Sequence, residues 1–248
     1  PGSAQDANAF NSLHLGEHAA ASTFALNHAL VSSASSQPFR LKWWWRAASE
    51  NPQFEGRESP YEVPEAENTL FCNHQDSWFH TDDDSGNLIS GRTWRVEQFW
   101  AWVSRGHQAS GSQSVASRLP HLVFASPPAL STSLGQAVQG LAFATLVSSI
   151  GVLRVGGYLC LHLANPSLDP GFPALLLLMA LCFERVEIFC PGVRPPGACE
   201  AAALVALRFR GVPAALLQVL VRAIRRLLAG KLSLDSFVHW CSKERPSL

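Results

Sequence analysis

Charge is scarce in this 248-residue chain: Asp, Glu, Lys and Arg make up 15% of it, against 47% hydrophobic residues. That balance excludes a disordered polyelectrolyte and leaves enough apolar side chain for one sizeable core. Nineteen basic residues cancel nineteen acidic ones. No global field draws the chain to nucleic acid, so RNA binding would need a local patch. The six cysteines (Cys72, Cys160, Cys182, Cys190, Cys199, Cys241) form no CxxC pair, which removes the standard zinc and thiol-exchange motifs. Most lie in apolar stretches, as reduced, buried thiols of an intracellular protein do. The apolar run Pro173–Phe183 has 11 residues, too few to span a bilayer. No secretory leader is read at the start, and Pro1-Gly2-Ser3 reads as a cloning scar. The abrupt beginning reads as a fragment or trimmed chain. Lysine is absent before Lys42.

What is present alternates between two hydrophobic periods. Ser12–Gly16 reads as a strand running into a turn, and Ala19–Val31 as a helix. Phe39–Trp45 reads as a strand. Residues 46–91, with Pro52, Pro60, Pro64 and Asp82-Asp83-Asp84, read as one long irregular segment of the kind that is functional or disordered. Val96–Ser104 then carries Val96, Phe99, Trp100 and Val103 on one helical face, and a Gly/Ser-rich linker covers 106–117. Strands at His121–Ala125, Tyr158–Leu163, Arg185–Phe189 and Ala201–Phe209 alternate with helices at Leu134–Ile150 and Ala174–Cys182. Gly156-Gly157 makes a turn and 191–197 a Pro/Gly loop. Pro213–Leu228 is an amphipathic helix, with Leu234–Trp240 a further helical candidate. This order predicts an α/β, Rossmann-like fold: a mostly parallel sheet of about seven strands with helices on both faces. The expected organisation is one domain over 4–211 with a helical extension, 212–248, packed on it.

Several of these pieces resemble one family in order and spacing. Leu13-His14-Leu15-Gly16-Glu17, then Leu26-Asn27-His28, is similar to a Glu-Ala-Pro-Gly cofactor loop and the Leu-Asn-His of its following helix. Trp43, Trp45, Ala47 and Asn51-Pro52 track the next strand and loop, and Trp78 with Gly86-Asn87-Leu88 an aromatic loop ending in Gly-Asp-Ile. His121–Pro127 takes the place of a strand ending in Ala-Asp-Gly, and Gly156–His162 that of a Gly-Gly strand ending in Lys. Cys182–Val186 and Phe189–Glu200 track the last strand and loop. Over residues 12–211 the chain resembles the FtsJ-like ribose 2′-O-methyltransferases of messenger RNA caps, above all the type acting on the second transcribed nucleotide.

The resemblance implies an S-adenosylmethionine pocket at Gly16, Glu17, Ala20, Asn51, Asn87 and Ser126, and a Lys-Asp-Lys-Glu catalytic tetrad. In such a tetrad the central Lys promotes ionisation of the ribose hydroxyl and acidic partners hold it. This chain departs from the pattern. Ser126 stands at the Asp position, His162 at the central Lys, and the first Lys has no counterpart. Glu200 alone is retained. Ala20 replaces the loop glycine that lets backbone approach the cofactor, and Asn87 replaces a carboxylate. Histidine titrates near neutrality, yet the shorter imidazole at 162 lacks an Asp to orient it. The implied function is a catalytically inactive, cap-methyltransferase-like scaffold or binding module with no cofactor. It would act with another protein of an RNA-processing assembly, with RNA itself a further partner, in the nucleus and/or cytoplasm. Two alternatives stand beside it: an active, divergent ribose 2′-O-methyltransferase using S-adenosylmethionine, and a protein-interaction module without an RNA role.

Other residues carry separate readings. Cys72, His74, His80 and Asp82–Asp84 match no metal-ligand spacing and read as a solvated acidic loop, so no metal is expected. Trp44, in the Trp43-Trp44-Trp45 run, is a candidate base-stacking platform. Arg222, Arg225 and Arg226 form a basic stripe opposite Leu216, Val219, Leu220, Ala223 and Leu227, a candidate RNA or partner contact or a solvated face. Ser126, Ser131 and Ser133 lack the GxSxG turn of a serine hydrolase.

Overall fold

The computed structural model describes residues 9–16, 19–34, 42–51, 53–54, 65–90, 93–105, 119–127, 135–164, 171–190, 201–233, 235–237 and 239. Eight strands are named: β1 (Ala9–Leu15), β2 (Lys42–Ala48), β3 (Ile89–Ser90), β4 (Thr93–Trp94), β5 (Leu122–Ala125), β6 (Tyr158–Ala164), β7 (Phe183–Phe189) and β8 (Ala201–Phe209). Six helices accompany them: α1 (Ala19–Ala34), α2 (Glu65–Asn73), α3 (Val96–Arg105), α4 (Gly135–Ile150), α5 (Phe172–Cys182) and α6 (Ala214–Leu228).

Six strands form one sheet in the order β2-β1-β5-β6-β8-β7, and β3-β4 is a separate two-stranded ribbon. β2, β1, β5 and β6 are parallel, whereas β8 runs antiparallel to both of its neighbours. The chain leaves β1 toward one side of the sheet and β5 toward the other. Right-handed crossovers then place α1 and α4 on opposite faces. The expected α/β Rossmann-like architecture is therefore present, with a six-stranded main sheet rather than one of about seven.

The core lies under α4. Leu13, Leu15, Val123, Ala125, Leu159, Leu161, Leu204 and Ala206 share that face and are buried. Residues 140–150 of α4 are all buried, as expected of a helix walled in by neighbours. It is covered by α6, and Gly140 permits the close approach: a Cβ there would stand 2.9 Å from a Leu228 methyl. The helix buries two serine hydroxyls by bonding them locally. Ser148 and Ser149 donate to the carbonyls of Ala144 and Thr145, each at 2.8 Å, and Trp94 Nε1 donates to Ser148 Oγ at 3.0 Å.

Several boundaries differ from the sequence reading. β1 begins at Ala9, not Ser12. β2 extends to Ala48, beyond the expected end at Trp45, because Ala47 and Ala48 pair with His14 and Leu15. Residues 46–91 are not uniformly irregular: they hold the end of β2, α2 and a 3-10 turn at Gln75–Ser77. α2 buries only Phe71, so its hydrophobic period is faint. β7 follows α5 with no loop, two residues earlier than expected. Of the expected 234–240 helix, 235–237 and 239 are described as helical. The 106–117 linker and 191–197 loop lie outside the described residues. Cys182 is buried, but Cys72 and Cys190 are exposed free thiols. Burial in the core therefore does not extend to most of the described cysteines.

Phe143, fully buried, meets the Phe237 ring edge-on at 4.8 Å between centroids. Truncating it leaves a void that close-packed neighbours fill only in part. Phe143→Ala is expected to lower unfolding free energy by about 3–5 kcal/mol, read from urea denaturation.

Candidate functional site

In an open α/β sheet a ligand crevice forms beyond the carboxyl ends of the strands, where the strand order reverses. Here that point lies between β1 and β5. The register aligns Leu15 with Ala125 and Ala125 with Leu161. Gly16, Ser126 and His162 follow those residues at the same edge of the sheet.

The crevice is closed at the switch point itself. Ser126 N–H donates to Leu15 O at 2.9 Å, and Gly16 N–H donates to Ala48 O at 2.9 Å. Ladder-like bonding thus continues one residue past each strand and the loops do not splay. Gly16 adopts φ +92°, and a Cβ on it would stand 1.8 Å from Ser126 O. Glycine is required here for close approach of backbone to backbone.

A cleft of about 250 Å³ remains on the α1 side, lined by Leu15, Ser22, Phe124, Ala125, Ser126, Cys160, His162 and Ala203. Ligand sites commonly measure roughly 300–1,000 Å³. Among the described residues, the lining holds no carboxylate and no lysine. Burial pushes the Cys160 thiol above its ordinary range, which keeps it protonated and poorly nucleophilic.

Beneath the cleft, His14 is buried and bridges the sheet to α1. Its Nδ1 lies 2.7 Å from Ser22 Oγ, and its Nε2 3.0 Å from Ser12 Oγ. Trp43 Nε1 donates to that same Ser12 Oγ at 2.9 Å, and the imidazole stacks on Phe124 at 5.4 Å. Burial drives the His14 pKa down from 6.5 to about 3, so the ring is neutral.

The sequence-derived site residues separate into groups. Gly16, Ser126 and His162 come together at the cleft. His162 is exposed, two residues before the end of β6. Asn51 is not among the residues lining the cleft. Its Nδ2 donates to Asp84 O at 3.0 Å and its Oδ1 accepts from Gln53 N–H at 2.9 Å, which ties the β2 loop to the 81–87 turn. Asn87 Nδ2 lies 3.4 Å from Glu50 Oε1, while its carbonyl accepts from Arg95 at 3.0 Å. Ala20 lies on α1 with its side chain outside the description. Glu17 and Glu200 lie outside the described residues.

The peripheral candidates are engaged locally. Trp44 is half-buried with Lys42 Nζ 5.0 Å from its ring centre. Arg225 pairs with Glu97 of α3, so the stripe of Arg222, Arg225 and Arg226 is partly neutralised. Among the described residues, no three His, Cys, Asp or Glu side chains gather as metal ligands. His80 Nε2 sits 3.1 Å from Gln75 O, and His74 packs edge-on against Trp45. Asp83 is held low, at about 2, first by its hydrogen bond from Thr81 and then by that from Ser85.

Sequence reasoning missed Ser22, Phe124, Cys160, Ala203 and Glu50. The first four come from separate elements, and only the register joins them. Glu50, two residues beyond β2, was detectable as an acidic residue at the end of a strand.

These features define a Rossmann-like α/β domain with a small, largely apolar cleft at its switch point. No family model matches the chain, and no curated protein does. Among solved structures it is similar to a variant of the 16S rRNA (adenine(1408)-N(1))-methyltransferase of Catenulisporales acidiphilia, at 12% identity and a TM-score of 0.36, over 84% of this chain and 89% of that one. It is also similar to the N-methyltransferase NodS of Bradyrhizobium japonicum WM9, at 13% identity and a TM-score of 0.39, over 81% and 86%. A third is a Listeria monocytogenes protein described as a class I S-adenosylmethionine-dependent methyltransferase, at 10% identity and a TM-score of 0.42, over 88% and 65%. Likeness at this level carries no argument about activity, and the fold stands on the strand order and reversed β8 given above. No helix among the described residues is long and apolar enough to cross a membrane.

Two measurements test the site's construction. His14 takes up a proton readily only on unfolding, so the unfolded state binds more protons below pH 6.5 and stability falls as pH falls toward 3. Between pH 7 and pH 5 the loss is expected to be about 2 kcal/mol, and His14→Asn is expected to flatten that part of the profile. Gly16→Ala meets both a left-handed φ and the Ser126 carbonyl, and is expected to cost about 3–5 kcal/mol in urea unfolding. Gly156→Ala, at φ +79° with nothing within 4 Å of the added carbon, is expected to cost only about 1–2 kcal/mol.

Proposed function

We propose that the chain is a non-catalytic, methyltransferase-like Rossmann domain that serves as a binding or scaffolding module in RNA cap processing and does not use S-adenosylmethionine. One observation carries the reading: backbone closes the switch point where Gly16 meets Ser126, and no described residue lining the remaining cleft is a carboxylate.

S-adenosylmethionine brings a sulfonium charge and a nucleoside. The described residues do not fit it. A buried cation needs a compensating anion, and Ser126 offers a neutral hydroxyl where the resemblance expects Asp. The imidazole of His162, at the position of the central Lys, is exposed to water. The cap-processing part of the proposal rests on the sequence resemblance over residues 12–211. Persistence of a packed core beside a degraded pocket is what relaxed selection on chemistry with retained selection on folding produces.

A second reading, an active but divergent ribose 2′-O-methyltransferase, draws on Glu50. This half-buried carboxylate stands beyond the end of β2 and next to Asn87, where Rossmann folds place an acidic group for ribose hydroxyls.

Isothermal titration with S-adenosylmethionine separates the readings. The proposal expects no binding tighter than about 1 mM and no methyl transfer to capped RNA. Low-micromolar affinity with product formation would establish the second reading. A salt-dependent gel shift with capped RNA is expected if the module contacts RNA directly. Its absence would leave protein partners alone.

A further inference from the structure

The two edges of the main sheet are treated differently. Beside β2, Trp78 forms a bridge to Ala47 and Phe79 N–H donates to Ala47 O at 2.9 Å. Beside β7, no described strand pairs with the outer edge. An uncovered edge strand is a template for another strand.

β7 and the helix running into it also carry unusual exposure. α5 contains no charged residue, and its outward positions include Leu177 and Leu181, 46% and 38% exposed. On β7, Ile188 and Phe189 are 53% and 64% exposed. Among the described residues, half of the eight large hydrophobic side chains that are exposed lie on this one helix–strand unit, and such clustering marks an interaction surface.

The strand's charges identify the partner. Residues 183–189 read Phe-Glu-Arg-Val-Glu-Ile-Phe. Antiparallel pairing of this strand with a copy of itself, centred on Val186, sets Arg185 opposite Glu187 of the other copy and Glu187 opposite its Arg185. Within one chain Arg185 Nε already lies 2.8 Å from Glu187 Oε1, so the two copies would form a square of alternating charge. Glu184, which pairs with Arg208 at 3.4 Å, would face Ile188 rather than another carboxylate. No like charges meet in this register.

We propose that the α5–β7 edge is a two-fold interface between copies of this chain, in which β7 strands pair about Val186 and join the sheets into one. Such an interface is isologous, so each contact occurs twice. The two-fold axis runs normal to the sheet and brings the α5 helices alongside each other on one face. Paired seven-residue strands alone fall short of the roughly 1,000 Å² of a stable interface. The apolar stripe at Leu177 and Leu181 supplies further area.

Sedimentation velocity of the full chain across about 1–100 µM tests this. A concentration-dependent dimer is expected. Arg185→Glu and Glu187→Arg each place like charges opposite one another twice, and each is expected to weaken dimerisation about tenfold or more. The double swap Arg185→Glu with Glu187→Arg restores complementarity and is expected to return affinity to within about threefold of the original. Far-UV circular dichroism spectra of these surface variants should match that of the parent. A monomer throughout the range, a dimer indifferent to both single changes, or a double swap as weak as the singles would each overturn the proposal.

Discussion

The structure depends on how closely β1 is held between β2 and β5. Bonds from Gly16 N–H to Ala48 O and from Ser126 N–H to Leu15 O carry the parallel ladder past the strand ends. Only a residue without a side chain can sit against Ser126 O with φ +92°. Because those backbones are joined, the core face stays continuous from Leu13 through Val123 to Leu159. The same closure confines the available space to a small cleft on the opposite face, so packing and site geometry follow from one constraint.

The two faces of the sheet are built on different physics. Under α4 the side chains are almost wholly aliphatic, and hydrophobic burial suffices. Under α1 the sheet carries Ser12, His14 and Trp43, whose polar atoms are satisfied through one chain of contacts from Trp43 to Ser22. A neutral, buried imidazole at the centre makes that face sensitive to acid and gives it orientation rather than reactivity. Among the described residues, the cleft above is lined by neutral hydroxyl, thiol, imidazole and apolar side chains.

The periphery shows a similar economy of charge. Arg225 is occupied by Glu97, Arg95 by Asp83 and the Asn87 carbonyl, and Arg46 by the carbonyls of Trp102 and Val103. These pairings fix α3, the 81–87 turn and α6 against one another. With few charges in the chain, most cations near the core brace the fold. The α5–β7 unit differs: its charges alternate along an edge with no described partner strand, and its helix shows aliphatic side chains to solvent.

The amino-acid pattern alone was enough for the alternation of strands and helices, the two-faced sheet and the buried character of α4, because these follow from local hydrophobic period and run length. The family resemblance, rather than the hydrophobic period, put Gly16, Ser126 and His162 in one place. The pattern misjudged residues 46–91, where α2 buries a single side chain and leaves hardly any period to read. The tertiary structure decided what local pattern cannot encode: that Asn51 braces a turn, that His14 is neutral and linked to Ser22, that Arg225 is already paired, and that backbone from two loops meets at Gly16. Each depends on groups far apart in the chain being brought within hydrogen-bonding distance. Only the sheet register, set by the burial of a whole face at once, determines which groups those are.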